Sequence, residues 1–145
     1  MSKLIALYGR PQSGKTPTLK LLKRVILEKF NVQPNQIKEL GKEKYGDGRN
    51  DICVILNGIT KINIGVFSEG DYPENITKYI GEFLLQNCEI IFCACRTWGK
   101  TKRAVNEFGD KHQVQFVRKI ICKDLSKQEE INKKQANNLI ALAGF

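Results

Sequence analysis

An apolar strand that runs directly into a glycine loop and then a helix leaves a chain few folds to choose from. Residues 4–30 have that order. Leu4, Ile5, Ala6, Leu7 and Tyr8 form an unbroken apolar run, the pattern of a parallel strand covered on both faces. Gly9-Arg10-Pro11-Gln12-Ser13-Gly14-Lys15-Thr16 comes next, and residues 18–30 then carry apolar side chains at helical spacing. Gly9 and Gly14 accept positive φ, so the backbone can curl until successive N–H groups face one concavity. The concavity sits at the positive end of the helix that follows, where a negative charge is favoured. Pro17 suits the first helical turn, in which its missing N–H has no intrahelical partner.

The octamer satisfies G-x-x-x-x-G-K-[ST] at every fixed position, and in this setting it resembles the phosphate-binding loop of the P-loop NTPase superfamily. The resemblance covers about the first thirty residues. It implies that Gly9, Arg10, Pro11, Gln12, Ser13, Gly14, Lys15, Thr16 and Thr18 surround the phosphates of a nucleotide. Lys15 would reach the β- and γ-phosphates as a catalytic cation, and the Thr16 hydroxyl would coordinate Mg²⁺.

The rest of the chain supplies strands and helices for an α/β domain. A polar stretch over residues 31–50, basic through Lys38, Lys42, Lys44 and Arg49, is long for a connection and reads as a functional loop or a partly structured one. Residues 51–56 and 59–67 are apolar runs flanking Asn57-Gly58, which signals a β-hairpin and hence an antiparallel strand beside parallel ones. Pro73 opens a helix carrying Ile76, Tyr79, Ile80, Phe83 and Leu84 on one face. Residues 89–95 read as a central strand, and a short helix reaches about Phe108. Residues 114–122 read as a strand nearer an edge. Ser126-Lys127-Gln128-Glu129 is a capping box for a last helix ending before Gly144. The expectation is a single three-layer α/β domain over residues 1–145, with a mainly parallel sheet of about five strands, including a hairpin, and about four helices.

Composition narrows the chemistry. The five cysteines form no C-x-x-C pair and one histidine accompanies them, so no spacing suits zinc, and buried thiols in a reducing compartment are expected. No apolar stretch approaches the ~18 residues of a membrane span. The first apolar run is too short for a signal peptide, so the chain reads as cytoplasmic. The net charge of +9 is concentrated in residues 1–50 and 96–145, which favours anionic partners such as nucleotides or nucleic acid.

Mg²⁺ in such a site needs a carboxylate at a neighbouring strand tip. The strands ending at Leu56 and Cys95 have none, whereas Glu69 and Asp71 lie just past Phe67. In small GTPases, too, a hairpin leads into a metal-binding acidic loop, so the resemblance favours this place. Asp71 is the first choice, Glu69 the second and Asp124 a third. N-K-x-D, the guanine signature, is absent, which leaves ATP by elimination. Ala94-Cys95-Arg96-Thr97-Trp98-Gly99-Lys100-Thr101 repeats the octamer spacing with Ala for the first Gly. It reads as a second nucleotide loop, as a plain basic connector, or as a loop in the shared crevice whose Arg96 or Lys100 meets phosphate charge or an anionic second substrate. Three functions remain open: a Mg²⁺-dependent ATP phosphohydrolase or phosphotransferase using Lys15, Asp71 and Arg96, a nucleotide-dependent switch, and a nucleic-acid-binding accessory protein. The six arginines include no adjacent pair, so no kinase-type arginine-rich lid is visible.

Overall fold

The structure, a computed structural model, describes residues 1–40 and 51–145. Lys42, Lys44 and Arg49 of the polar stretch lie outside the described residues. The described elements, in chain order, are β1 (Lys3–Tyr8), α1 (Lys15–Lys29), β2 (Ile37–Glu39), β3 (Cys53–Ile59), β4 (Ile62–Phe67), α2 (Pro73–Leu85), β5 (Cys88–Cys95), α3 (Lys100–Asn106), β6 (Gln113–Arg118) and α4 (Gln128–Ala143). The strands form one mixed sheet in the order β2-β3-β4-β5-β1-β6. The β4–β5, β5–β1 and β1–β6 pairings are parallel, and the two that involve β3 are antiparallel.

Helices cover both faces. Leu19, Leu22 and Ile26 of α1 and Ala136, Leu139 and Ile140 of α4 pack on Ile5, Leu7, Ile64, Val66 and Phe92. Ile76, Ile80 and Phe83 of α2 and Ala104 and Val105 of α3 pack on Leu4, Ala6, Phe67, Ile91 and Cys93. Residues of β1 and β5 alternate between the two clusters, as strands buried on both sides must. The continuous apolar runs in the sequence follow from that placement. No helix among the described residues is long and apolar enough to cross a membrane.

Four sequence expectations change in detail. The sheet has six described strands rather than about five, because Ile37–Glu39 of the polar stretch pairs with β3. The hairpin turns at Thr60-Lys61, both at positive φ, between the paired Ile59 and Ile62. Asn57-Gly58 lies inside β3, where Gly58 at φ +69° forms a bulge between Leu56 and Ile59. The last strand stops at Arg118, leaving Ile120 and Ile121 more than half exposed. Ser126 caps nothing; instead the Asp124 carboxylate accepts from Ser126 N at 3.0 Å and holds a 3₁₀ turn, Leu125–Lys127, ahead of α4.

Cys53, Cys88, Cys93 and Cys95 are buried and Cys122 is half-buried. Loss of solvent pushes the Cys53 and Cys88 thiols up to about 12 and Cys95 to about 11. Native protein at pH 8 should therefore react with a disulfide reagent at Cys122 first, the other four following only on unfolding. Rapid labelling of a second thiol would contradict the packing. The same thiols make stability pH-dependent on the alkaline side. Below the ordinary value of 9.0 they contribute no change. Above it the unfolded thiols ionise and the buried ones do not, so stability falls as the pH climbs from 9 toward 12.

Candidate functional site

The crevice lies at the C-terminal ends of β4, β5 and β1, where the loop of residues 9–16 leaves β1 and enters α1. Gln12 at φ +61° and Gly14 at φ +96° produce the curl, with Gly14 as the N-cap of α1. Gly9 is required for a different reason. A Cβ there would lie 2.7 Å from Ser13 Oγ and 3.1 Å from Lys119 Cβ. The Ser13 hydroxyl is buried with no hydrogen-bond partner among the described residues.

Lys15 folds back over the loop. Its Nζ donates to Gly9 O at 2.6 Å and to Arg10 O at 3.0 Å, and the side chain is buried. Burial pushes the ammonium below its ordinary value, while nearby Asp71 pulls the other way. A cation so placed gains from any anion that enters. Thr18 contributes structure: its hydroxyl donates to Gly14 O at 2.7 Å, tying the first turn of α1 to the loop.

Asp71 and Arg96 meet beside Lys15. Arg96 Nε donates to Asp71 Oδ1 at 3.5 Å, and both side chains are about half exposed. Glu69 turns away, buried, accepting from Asn75 Nδ2 at 2.7 Å through Oε1. Asp124 is occupied by its 3₁₀ turn. Lys100 also leaves the crevice and lines a separate cleft with Pro73, Lys78, Arg103 and Glu107 between α2 and α3. Arg96 therefore stays in the crevice and Lys100 does not. Thr101, the last residue of the second octamer, accepts from Arg96 N at 3.0 Å and fixes the start of that loop.

The carboxylate nearest Thr16 is one the sequence reading passed over. Thr16 Oγ1 donates to Asp51 Oδ1 at 3.2 Å, and Ser68 Oγ donates to the same oxygen at 3.0 Å. Ser68 Oγ in turn accepts from Ile52 N at 2.8 Å. Asp51 precedes β3, which runs antiparallel to β4, so the start of β3 reaches the crevice at the same end as the tip of β4. Asp51, Ser68 and Thr16 form a cluster of hard oxygen donors, the chemistry Mg²⁺ prefers.

Lys119 is a second buried cation against the loop. Its backbone N donates to Tyr8 O at 2.8 Å, its Nζ donates to Ile120 O, and its Cε lies 3.2 Å from where a Gly14 Cβ would stand. Burial lowers its ammonium as it does that of Lys15. The sequence showed only a lysine in an edge strand. Comparison with family models, curated proteins and solved structures returns no match.

Proposed function

We propose that this chain is a Mg²⁺-dependent ATP-binding protein of the P-loop type that performs phosphohydrolysis or phosphoryl transfer. The observation that carries the reading is the buried Lys15 ammonium, held on Gly9 and Arg10 carbonyls over a curled loop at the N-terminus of a 15-residue helix. The two carbonyl hydrogen bonds and the nearby Asp71 only partly offset the burial of that charge, and a phosphate at the loop would add an anion directly beside it. The Ser13 hydroxyl and the loop N–H groups offer further donors to it.

Thr16 and Asp51 are the residues that would hold Mg²⁺, with phosphate oxygens and water completing its shell. Bound there, the ion would neutralise charge on the transferring phosphoryl group. Asp71 keeps Arg96 at the mouth of the crevice, where the guanidinium can meet charge that develops on that group. GTP is disfavoured because no N-K-x-D follows any strand.

A nucleotide-dependent switch with slow hydrolysis is the second reading. The tips of the strands flanking β1 carry Arg96 on one side and Arg118 with Lys119 on the other, cations rather than a carboxylate able to activate water. Thermal shift with ATP, GTP, ADP and deoxynucleotides, each with and without Mg²⁺, tests nucleotide class and metal need together, since a ligand of the native state raises its stability. Asp51→Asn should reduce the Mg²⁺-dependent part of the ATP shift about ten-fold in affinity, and Asp71→Asn should reduce it less. A larger loss in Asp71→Asn would return the metal to the loop after β4.

A further inference from the structure

Trp98, the only tryptophan in the chain, is 72% exposed at the front of the glycine loop. The open indole, with the exposed Ile120 and Ile121 across the same cleft, offers a flat apolar face to a ligand. It lines two adjoining cavities of about 440 Å³ each, which share Arg10, Thr97 and Trp98. One extends to Arg96 and the other to Arg118, Lys119, Ile120 and Ile121. Four cations line the pair, of which Arg96 is also paired with Asp71 at 3.5 Å, and no carboxylate among the described residues lines it. Charge thus selects an anionic occupant, and the indole with the exposed isoleucines selects one that also carries flat apolar surface.

We propose that this cleft binds single-stranded nucleic acid, with bases on Trp98 and the phosphate backbone along Arg10, Arg96 and Arg118. The combination of a cationic track and an aromatic platform is what sequence-tolerant single-strand binding requires. Two joined cavities with cations at both ends suit a backbone that passes through better than one terminal phosphate. A duplex fits poorly, because its bases are stacked inside and present no free face to the indole. The inference rests on the phosphotransfer reading in one respect: a nucleotide in the glycine loop would place its terminal phosphate beside the strand, which is then either acceptor or effector.

The test uses the intact chain and a labelled oligothymidylate of about 15 nucleotides, read by anisotropy, together with the intrinsic fluorescence of Trp98. The expected result is quenching of the indole on binding and a log–log salt slope near −2, about −0.7 for each of three phosphates. Trp98→Ala should weaken binding about ten-fold or more, Trp98→Phe should restore most of it, and Arg118→Ala should flatten the salt slope. Equal affinity for a duplex of the same length, competition by thymidine monophosphate at matching concentration, or indifference to Trp98→Ala would each overturn the proposal. Calorimetry with Mg²⁺-ATP on the same proteins separates the two readings. Loss of the oligonucleotide with ATP retained follows from damage to the cleft alone. If the wild-type chain binds the oligonucleotide but not ATP, the strand site stands and the glycine-loop assignment falls.

Discussion

Lys15→Ala should lower the affinity for Mg²⁺-ATP by about 10²-fold or more and leave the melting temperature of the nucleotide-free protein nearly unchanged. The two halves of this expectation come from the same geometry. Lys15 Nζ sits on the Gly9 and Arg10 carbonyls, and burial disfavours its charged form. Removing it relieves that burden but strips two carbonyls of their donor, so the effects on folding oppose each other. In the nucleotide complex the balance is one-sided. Two charge-assisted hydrogen bonds to phosphate, at about 1.5–3 kcal/mol each, correspond to roughly 10²–10⁴ in affinity. Isothermal titration calorimetry measures the first half and a thermal melt the second. Undiminished affinity in a well-folded variant would remove the P-loop assignment altogether.

The residues that make this prediction possible were legible because their signal is local. A buried strand, a glycine loop and an amphipathic helix follow one another over residues 4–30, and each is written in a period or a spacing that needs no other part of the chain. The central place of β5 was legible for a similar reason: a strand covered on both faces can hardly be anything but apolar throughout. The features that escaped are those fixed by pairing. Nothing within Ile37–Glu39 announces a strand; its three residues become one because β3 offers them an edge. Asn57-Gly58 carries the stronger turn signal, yet the turn falls at Thr60-Lys61, since that register brings Leu56 opposite Ile64 and Val54 opposite Val66 in one core.

Asp51 is the instructive case. A search for metal-binding acids looks past the C-terminal end of each strand, which is correct for parallel strands. In an antiparallel strand the crevice meets the N-terminal end instead. Once 51–56 and 59–67 are read as a hairpin, the residue before the first strand must lie beside the residue after the second. Ile52 O accepts from Ser68 N at 2.9 Å in those places, and Asp51, one residue further out, takes the Ser68 hydroxyl on its Oδ1 at 3.0 Å. The hairpin was visible in the sequence, and the consequence for Asp51 could have been drawn from it. Lys119 had no comparable signal, because its contact with Gly9 and Gly14 depends on how tightly β6 follows β1.

The same close packing makes Gly70 the residue on which the crevice depends most. Gly70→Ala should destabilise the protein by about 3 kcal/mol, lowering the melting temperature by roughly 10 °C. A Cβ at this position would stand 2.3 Å from Ala94 O, 2.5 Å from Ala94 C and 2.8 Å from Cys95 N. All three are backbone atoms at the tip of a central strand, so no side chain can swing aside. Relief requires the chain after β4 to lift from β5, or β5 to shift. Either movement disturbs the function as well. Cys95 O accepts from Gly9 N at 3.2 Å, which ties the tip of β5 to the first residue of the glycine loop. Asp71 and Arg96, the next residues on each chain, would lose their pairing. Nucleotide affinity should therefore fall along with stability in Gly70→Ala, even at temperatures where the variant is folded. Gly81→Ala supplies the contrast within one helix-bearing segment. It lies inside α2 with nothing within 4 Å of the added Cβ, so the substitution should raise stability by about 0.5–1 kcal/mol through helix propensity. Urea unfolding of the two variants checks both signs. A Gly70→Ala protein as stable as its parent would mean that the acidic loop does not cross β5 at this distance, and the placement of Asp71 against Arg96 would go with it.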